Sequence, residues 1–132
     1  MITLTFNAIA QRLRETDLPE TDLVIGIGTG GTVPAAMVAF HLKADLRVMV
    51  LNYRDEQNNP QYDSPEVRRL PDMELEGKKI LLVDDVSVSG KTMLKALELL
   101  EGHKVKTLTL KGKADYVLFP EIKDCVRWPW KP

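Results

Sequence analysis

The sequence predicts an α/β fold, a parallel β-sheet flanked by helices, on three observations. Short apolar runs of strand length alternate with stretches of helical period. The run "LVIGI" passes through the glycines "GTGG" into a helical pattern. A later run, "KILLV", meets two adjacent carboxylates, then hydroxyls and a glycine, then a second amphipathic pattern. Alternation of this kind favours parallel strands covered on both faces, with ligands at the carboxyl ends of the strands.

Each element follows from its residues. Phe6, Ile9, Ala10 and Leu13 recur at i, i+3, i+4, i+7, so the chain opens on a helix that ends near Thr16, before "DLPETD". "LVIGI" (23–27) is short, apolar and β-branched, a buried strand. The helix "TVPAAMVAFHLKA" follows, with Thr32 able to cap it and Pro34 suited to its first turn. "LRVMVLN" (46–52) is a second strand; residues 53–77 hold no sustained period and are rich in Asn, Pro, Asp and Arg, a length that marks a functional loop. "KILLV" (79–83) is a third strand, and Met93, Ala96, Leu97 and Leu100 give the next helix its apolar face. "VKTLTL" (105–110) is a fourth strand, and "DYVLFPEIKDCVRWPWKP" offers a short strand before a Pro- and Trp-rich end.

The whole chain narrows the classes. Its 132 residues fit one domain, 1–132, large enough to bury a core. With 18 basic and 19 acidic residues the net charge is -1, so no overall field recruits nucleic acid or an anionic membrane. Any anion site is therefore local. Cys125 is the single cysteine, which excludes an internal disulfide and multi-thiolate metal sites and fits a reducing, cytoplasmic compartment. No apolar run approaches the roughly 20 residues of a membrane span.

Two stretches carry chemistry. Gly26, Gly28 and Gly31 form G-x-G-x-x-G after a strand, but the acidic residue a dinucleotide site wants at the end of the next strand is replaced by Asn52, with Asp45 ahead of that strand. A plain packing role for the glycines is the alternative. What remains common is backbone N–H groups presented to an anion near a helix N-terminus. "SGKT" (89–92) fails as a P-loop, because Asp85 occupies the position of its opening glycine and would repel phosphates. Ser87, Ser89, Gly90, Lys91 and Thr92 nevertheless form a hydroxyl- and amide-rich turn suited to one phosphate monoester. Asp84 and Asp85 beside such a cup suit a ligand that presents vicinal hydroxyls and Mg²⁺ one sugar's width from its phosphate. Ribose 5-phosphate has that layout. Capping or simple solvation of the two acids is the plainer alternative, though adjacent acids ending a buried strand are costly without a cation.

"ILLVDDVSVSGKT" resembles the signature loop of the type I phosphoribosyltransferases, and "VIGIGTGGTVPAAMVA" resembles their pyrophosphate loop. The resemblance is closest to purine enzymes of the xanthine/guanine type and their bacterial and archaeal relatives. It implies a type I phosphoribosyltransferase-like fold with a reduced C-terminal hood. It also implies transfer of the 5-phosphoribosyl group from phosphoribosyl pyrophosphate to a nitrogenous base, with Mg²⁺. Carried over by position, Asp84 and Asp85 engage the ribose hydroxyls and the metal and act catalytically. Ser87, Val88, Ser89, Gly90, Lys91 and Thr92 hold the 5-phosphate, and Thr29, Gly30 and Gly31 meet the pyrophosphate. Lys111, Val126 and Trp128 face the base. Tyr62, Ser64, Arg68 and Arg69 lie in a loop that closes over the site and excludes water. A homodimer is implied, with Trp128 or Trp130 as interface anchors.

The chain departs from that pattern at three positions. Thr29 stands where many relatives carry a basic residue, Val88 where the purine enzymes carry an aspartate that manages a proton, and Cys125 where they stack an aromatic on the purine. A regulatory domain that binds a phosphoribosyl compound or nucleotide without turnover is the rival reading. Lys113, like Lys111, also reads as an ordinary solvated lysine. His41 and His103 read as surface residues and Cys125 as a packing residue.

Overall fold

The computed structural model describes residues 1–52, 66–69 and 74–131. The elements run β1 (Ile2–Thr3), α1 (Phe6–Glu15), β2 (Leu23–Gly28), α2 (Thr32–Leu42), β3 (Asp45–Asn52), β4 (Glu66–Arg69), β5 (Lys79–Ser87), α3 (Lys91–Leu99), β6 (Lys104–Gly112), β7 (Tyr116–Val117) and β8 (Val126–Arg127). Six strands form one sheet in the order β4-β3-β2-β5-β6-β7, parallel throughout except for β3 with β4. The small β1–β8 pair is separate, joining the start of the chain to its tail.

The pleat sorts the core into two layers. On β2 and β5, Val24, Leu81 and Val83 pack with Ile9 and Leu13 of α1 and Ala35 and Val38 of α2. The alternate residues, Leu23, Ile25, Ile27, Ile80 and Leu82, pack with Met93 and Ala96 of α3. The parallel strands are thus apolar on both faces, and their sequences read as continuous apolar runs for that reason. Gly26 is set by this packing, because a Cβ there would lie 2.5 Å from that of Ala35.

Three expectations shift. The cap of α2 is Gly31, without a side-chain hydrogen bond, and Thr32 is already helical. Residues 66–69, expected in a loop, pair antiparallel with β3. Cys125 is exposed rather than packed. Tyr62 and Ser64 lie outside the described residues, and Arg68 and Arg69 are described only as backbone of β4.

A polar clasp ties α1 to the segment after β7. Arg12 Nη1 and Nη2 donate to Glu121 Oε1 at 3.0 Å and Oε2 at 2.7 Å, the guanidinium lies 4.3 Å from the Phe119 ring centroid, and Nη1 also donates to the Leu118 carbonyl. Arg12 holds the Glu121 carboxyl at about 2, below its ordinary 4.5. Both side chains are partly exposed, so the ion pair adds little alone; with the ring contact and the carbonyl bond, Arg12→Ala is expected to cost about 1–2 kcal/mol. A carboxyl with a depressed folded value stabilises above its ordinary value and loses that contribution as pH falls through the depressed one. Thermal melts of Arg12→Ala should therefore lie furthest below the parent at neutral pH, and the gap should narrow toward pH 2 to what the ring and carbonyl contacts contribute.

Candidate functional site

After β2 the chain passes through α2 to β3 on one side, and it later returns to β5 on the other side of β2. The carboxyl ends of β2 and β5 therefore flank a topological switch point, where an open α/β sheet leaves a crevice. Thr29–Gly31 leave one end; Asp84, Asp85 and the loop 88–90 occupy the other. β5 runs on to Ser87, so the acids lie inside its last four residues rather than beyond its end.

The two loops are in contact. A Cβ on Gly30 would sit 2.7 Å from Asp85 Oδ2 and 2.9 Å from its Oδ1. On Gly31 it would meet the Val83 carbonyl at 2.6 Å, the Ile27 carbonyl at 2.7 Å and Asp84 Cα at 2.9 Å. Only glycine allows the turn to lie against the acidic strand this closely. Within the turn Gly31 N–H bonds the Ile27 carbonyl at 2.8 Å and Thr32 N–H the Thr29 carbonyl at 3.1 Å. The N–H groups of Thr29 and Gly30 donate to no backbone carbonyl among the described residues. The amides free to meet an anion are thus fewer than the glycine count suggests.

The pleat starts Asp84 and Asp85 toward opposite faces, yet their carboxyl groups stay close enough to interact directly. Asp85 follows Val83 toward the α2 turn and Asp84 follows Leu82 toward the α3 side. Asp84 is buried; its Oδ1 accepts the Asp85 N–H at 2.8 Å, while Asp85 Oδ1 accepts the Val86 N–H at 2.7 Å. Burial first, and then the neighbouring charge of Asp85, push the Asp84 carboxyl well above its ordinary range. Opposing this, Lys131 Nζ approaches Asp85 Oδ2 at 3.5 Å.

Beyond the acids, Ser87 is buried with its carbonyl accepting the Lys113 N–H at 2.9 Å, whereas Val88 is 73% exposed. Ser89 Oγ accepts the Lys91 N–H at 3.3 Å. Gly90, at φ 84°, opens α3 with nothing within 4 Å of a hypothetical Cβ. At the start of α3 the Lys91 N–H is thus taken by Ser89 Oγ, and the Leu94 N–H bonds the Gly90 carbonyl at 2.9 Å.

The residues assigned to a base are arranged differently. Lys111 pairs in register with Val86, and its Nζ donates to the Asp124 carbonyl at 2.6 Å. Val126 pairs with Ile2 of β1. Trp128 is 5% exposed and stacks on Trp130 at 5.3 Å, so most of its surface belongs to the core. It borders a cavity of about 440 Å³ shared with Phe6, Arg127 and Lys131. A larger groove, about 770 Å³, lies between α1 and α2 and includes no residue of either loop. Lys131 is absent from the sequence-based site. Nothing in its local sequence signals the contact, which exists because β8 and the buried Trp128 bring the tail back to β5.

A family described as "Phosphoribosyl transferase domain" matches residues 3–130. Orotate phosphoribosyltransferase of Saccharolobus solfataricus is 30% identical over 99 residues, 74% of this chain and 46% of the relative. Transcriptional regulator GfcR of Methanococcoides burtonii is 35% identical over 90 residues, 68% of this chain and 42% of the relative. The chain thus spans less than half the length of these curated relatives. The crystal structure of purine phosphoribosyltransferase from Pyrococcus horikoshii superposes with a TM-score of 0.75 at 24% identity, covering 99% of this chain and 94% of that one. The mostly parallel sheet and its flanking helices match that fold, and the chain belongs to the phosphoribosyl transferase domain family.

Proposed function

We propose that the chain binds phosphoribosyl pyrophosphate with Mg²⁺ and transfers the 5-phosphoribosyl group to a purine or related nitrogenous base, releasing pyrophosphate. One observation carries the reading: Gly30 lies against the Asp85 carboxylate, which sets the amide turn beside the acids that lead into the hydroxyl-rich loop. The 5-phosphate rests on Ser87, Val88, Ser89, Gly90, Lys91 and Thr92, the ribose hydroxyls on Asp84 and Asp85, and the pyrophosphate on Thr29, Gly30 and Gly31. A base would lie beside Lys111 and Val126, with Lys111 turning from the Asp124 carbonyl to meet it and Trp128 backing the site from the core.

The residues present fit Mg²⁺. That ion takes one or two carboxylates and leaves its other positions to water and ligand oxygens. Asp84 and Asp85 supply such a pair, while the described residues hold no cluster of three or more His, Cys, Asp or Glu. When bound, Mg²⁺ supplies positive charge against the pyrophosphate oxygens. In the transfer, the C1–O bond to pyrophosphate breaks with its electron pair leaving on oxygen, and a ring nitrogen forms the new bond to C1. Holding both ends of the sugar phosphate fixes C1 between leaving group and base. The carboxylates beside the ribose favour the positive charge that develops on the ring. The proton of the attacking nitrogen needs an acceptor, and Val88 offers none.

Similarity to a transcriptional regulator favours a second reading, a domain that binds the same ligand without turnover. Titration calorimetry with phosphoribosyl pyrophosphate and Mg²⁺ measures binding, and pyrophosphate release with a panel of purines and orotate measures transfer. Release with one base supports the enzyme; binding without release from any base supports the regulator. Because Val88 is exposed, Val88→Asp leaves packing intact. A proton acceptor is worth about 10²-fold or more, so turnover is expected to rise at least tenfold. No gain would place the limit elsewhere than proton removal.

A further inference from the structure

We infer that Lys131 is a ligand-binding residue of this site, contributing from the tail the cation that the glycine turn lacks for a pyrophosphate. The inference rests on the phosphoribosyl reading above. Thr29, Gly30 and Gly31 offer the anion amides and one hydroxyl but no charge, and Asp85 lies against that turn. A polyanion there meets a carboxylate at close range, and a positive side chain beside Mg²⁺ offsets the repulsion that remains. Among the described residues, Lys131 is the cation in a salt bridge with the acidic pair, at 3.5 Å from Asp85 Oδ2.

Its delivery is built into the fold. Trp128 is buried and stacked on Trp130, whose ring meets Phe6 at 6.3 Å, and Lys131 N–H bonds the Trp128 carbonyl at 3.2 Å. The backbone of Lys131 is thus anchored to the core through the tail sheet. Its side chain remains 56% exposed and keeps the freedom to turn from Asp85 to an incoming phosphate. The exchange is favourable, because an ammonium that is more than half exposed gains little from one carboxylate and makes stronger, charge-assisted contacts to a multiply charged phosphate.

The test compares the parent with Lys131→Gln and Lys131→Arg, titrating each in Mg²⁺ with phosphoribosyl pyrophosphate and, separately, with ribose 5-phosphate. Loss of one charge-assisted contact predicts about tenfold weaker binding of phosphoribosyl pyrophosphate by Lys131→Gln. Ribose 5-phosphate, which lacks the pyrophosphate, should bind the variant within about twofold of the parent, and Lys131→Arg should restore most of the loss. Unchanged binding of phosphoribosyl pyrophosphate by Lys131→Gln would overturn the inference. So would tighter binding, which would make Lys131 a plug over Asp85. A parent that binds neither ligand would refute the site reading itself, and this inference with it.

Discussion

Replacing Asp84 and Asp85 together by asparagine is expected to weaken Mg²⁺-dependent binding of phosphoribosyl pyrophosphate by about a hundredfold or more, since both carboxylates a hard cation can use are removed. The same change should raise the melting temperature of the ligand-free protein by a few degrees. The two introduced amide side chains each keep a carbonyl oxygen to accept the N–H groups of residue 85 and Val86, so the local backbone keeps its bonds. What disappears is a buried carboxyl that pays for its desolvation and for a neighbouring negative charge. The lost Lys131 pair subtracts little, since its ammonium is more than half exposed and returns to water. The pH dependence has a definite sign. Because the folded value of Asp84 is raised above its ordinary 3.8, the native state holds the proton where the unfolded chain has released it, and stability falls as pH rises from that range through the folded value. Melts of Asp84→Asn should show less of that decline. A variant that binds as tightly as the parent would remove the acids from the site, and one that melts lower would show that they are structural.

The second large effect concerns Gly31. Alanine there is expected to destabilise the fold by about 3 kcal/mol or more, at the upper end of overpacking costs, because every atom its Cβ would meet is backbone. The Val83 carbonyl at 2.6 Å, the Ile27 carbonyl at 2.7 Å and Asp84 Cα at 2.9 Å belong to the two central strands, and neither strand can yield without breaking sheet pairing. Gly90→Ala is the informative contrast. Its Cβ would meet nothing within 4 Å, so only the left-handed backbone at φ 84° resists, a cost of roughly 1–2 kcal/mol. Denaturant unfolding of both variants separates the two causes. Equal losses would mean that the close approach of turn and strand does not hold in solution.

The legible and illegible parts of this chain divide on sequence distance. "LVIGI", "LRVMVLN", "KILLV" and "VKTLTL" are readable because parallel strands covered on both faces are apolar at every position. The acidic pair is readable because two charges against such a run demand a reason. The short strands are not: Ile2–Thr3 and Val126–Arg127 gain their conformation from each other across the length of the chain, and no local period announces them. Thr32 looks like a cap by residue type, yet the close packing of the turn moves the cap to Gly31. Trp128 looks available to a ligand by its place in "WPW", and packing against Trp130 and the core buries it. Lys131 is the largest omission, since its meeting with Asp85 depends on the path of the whole tail.

The central claim is that the acidic end of β5 and the bend that follows hold one phosphorylated sugar between them. Crystals soaked in ribose 5-phosphate and Mg²⁺ test it most directly. The account predicts density for the phosphate against the amides of residues 88–92, with the sugar hydroxyls turned toward Asp84 and Asp85. An empty bend, or a sugar phosphate bound elsewhere on the molecule, would contradict it.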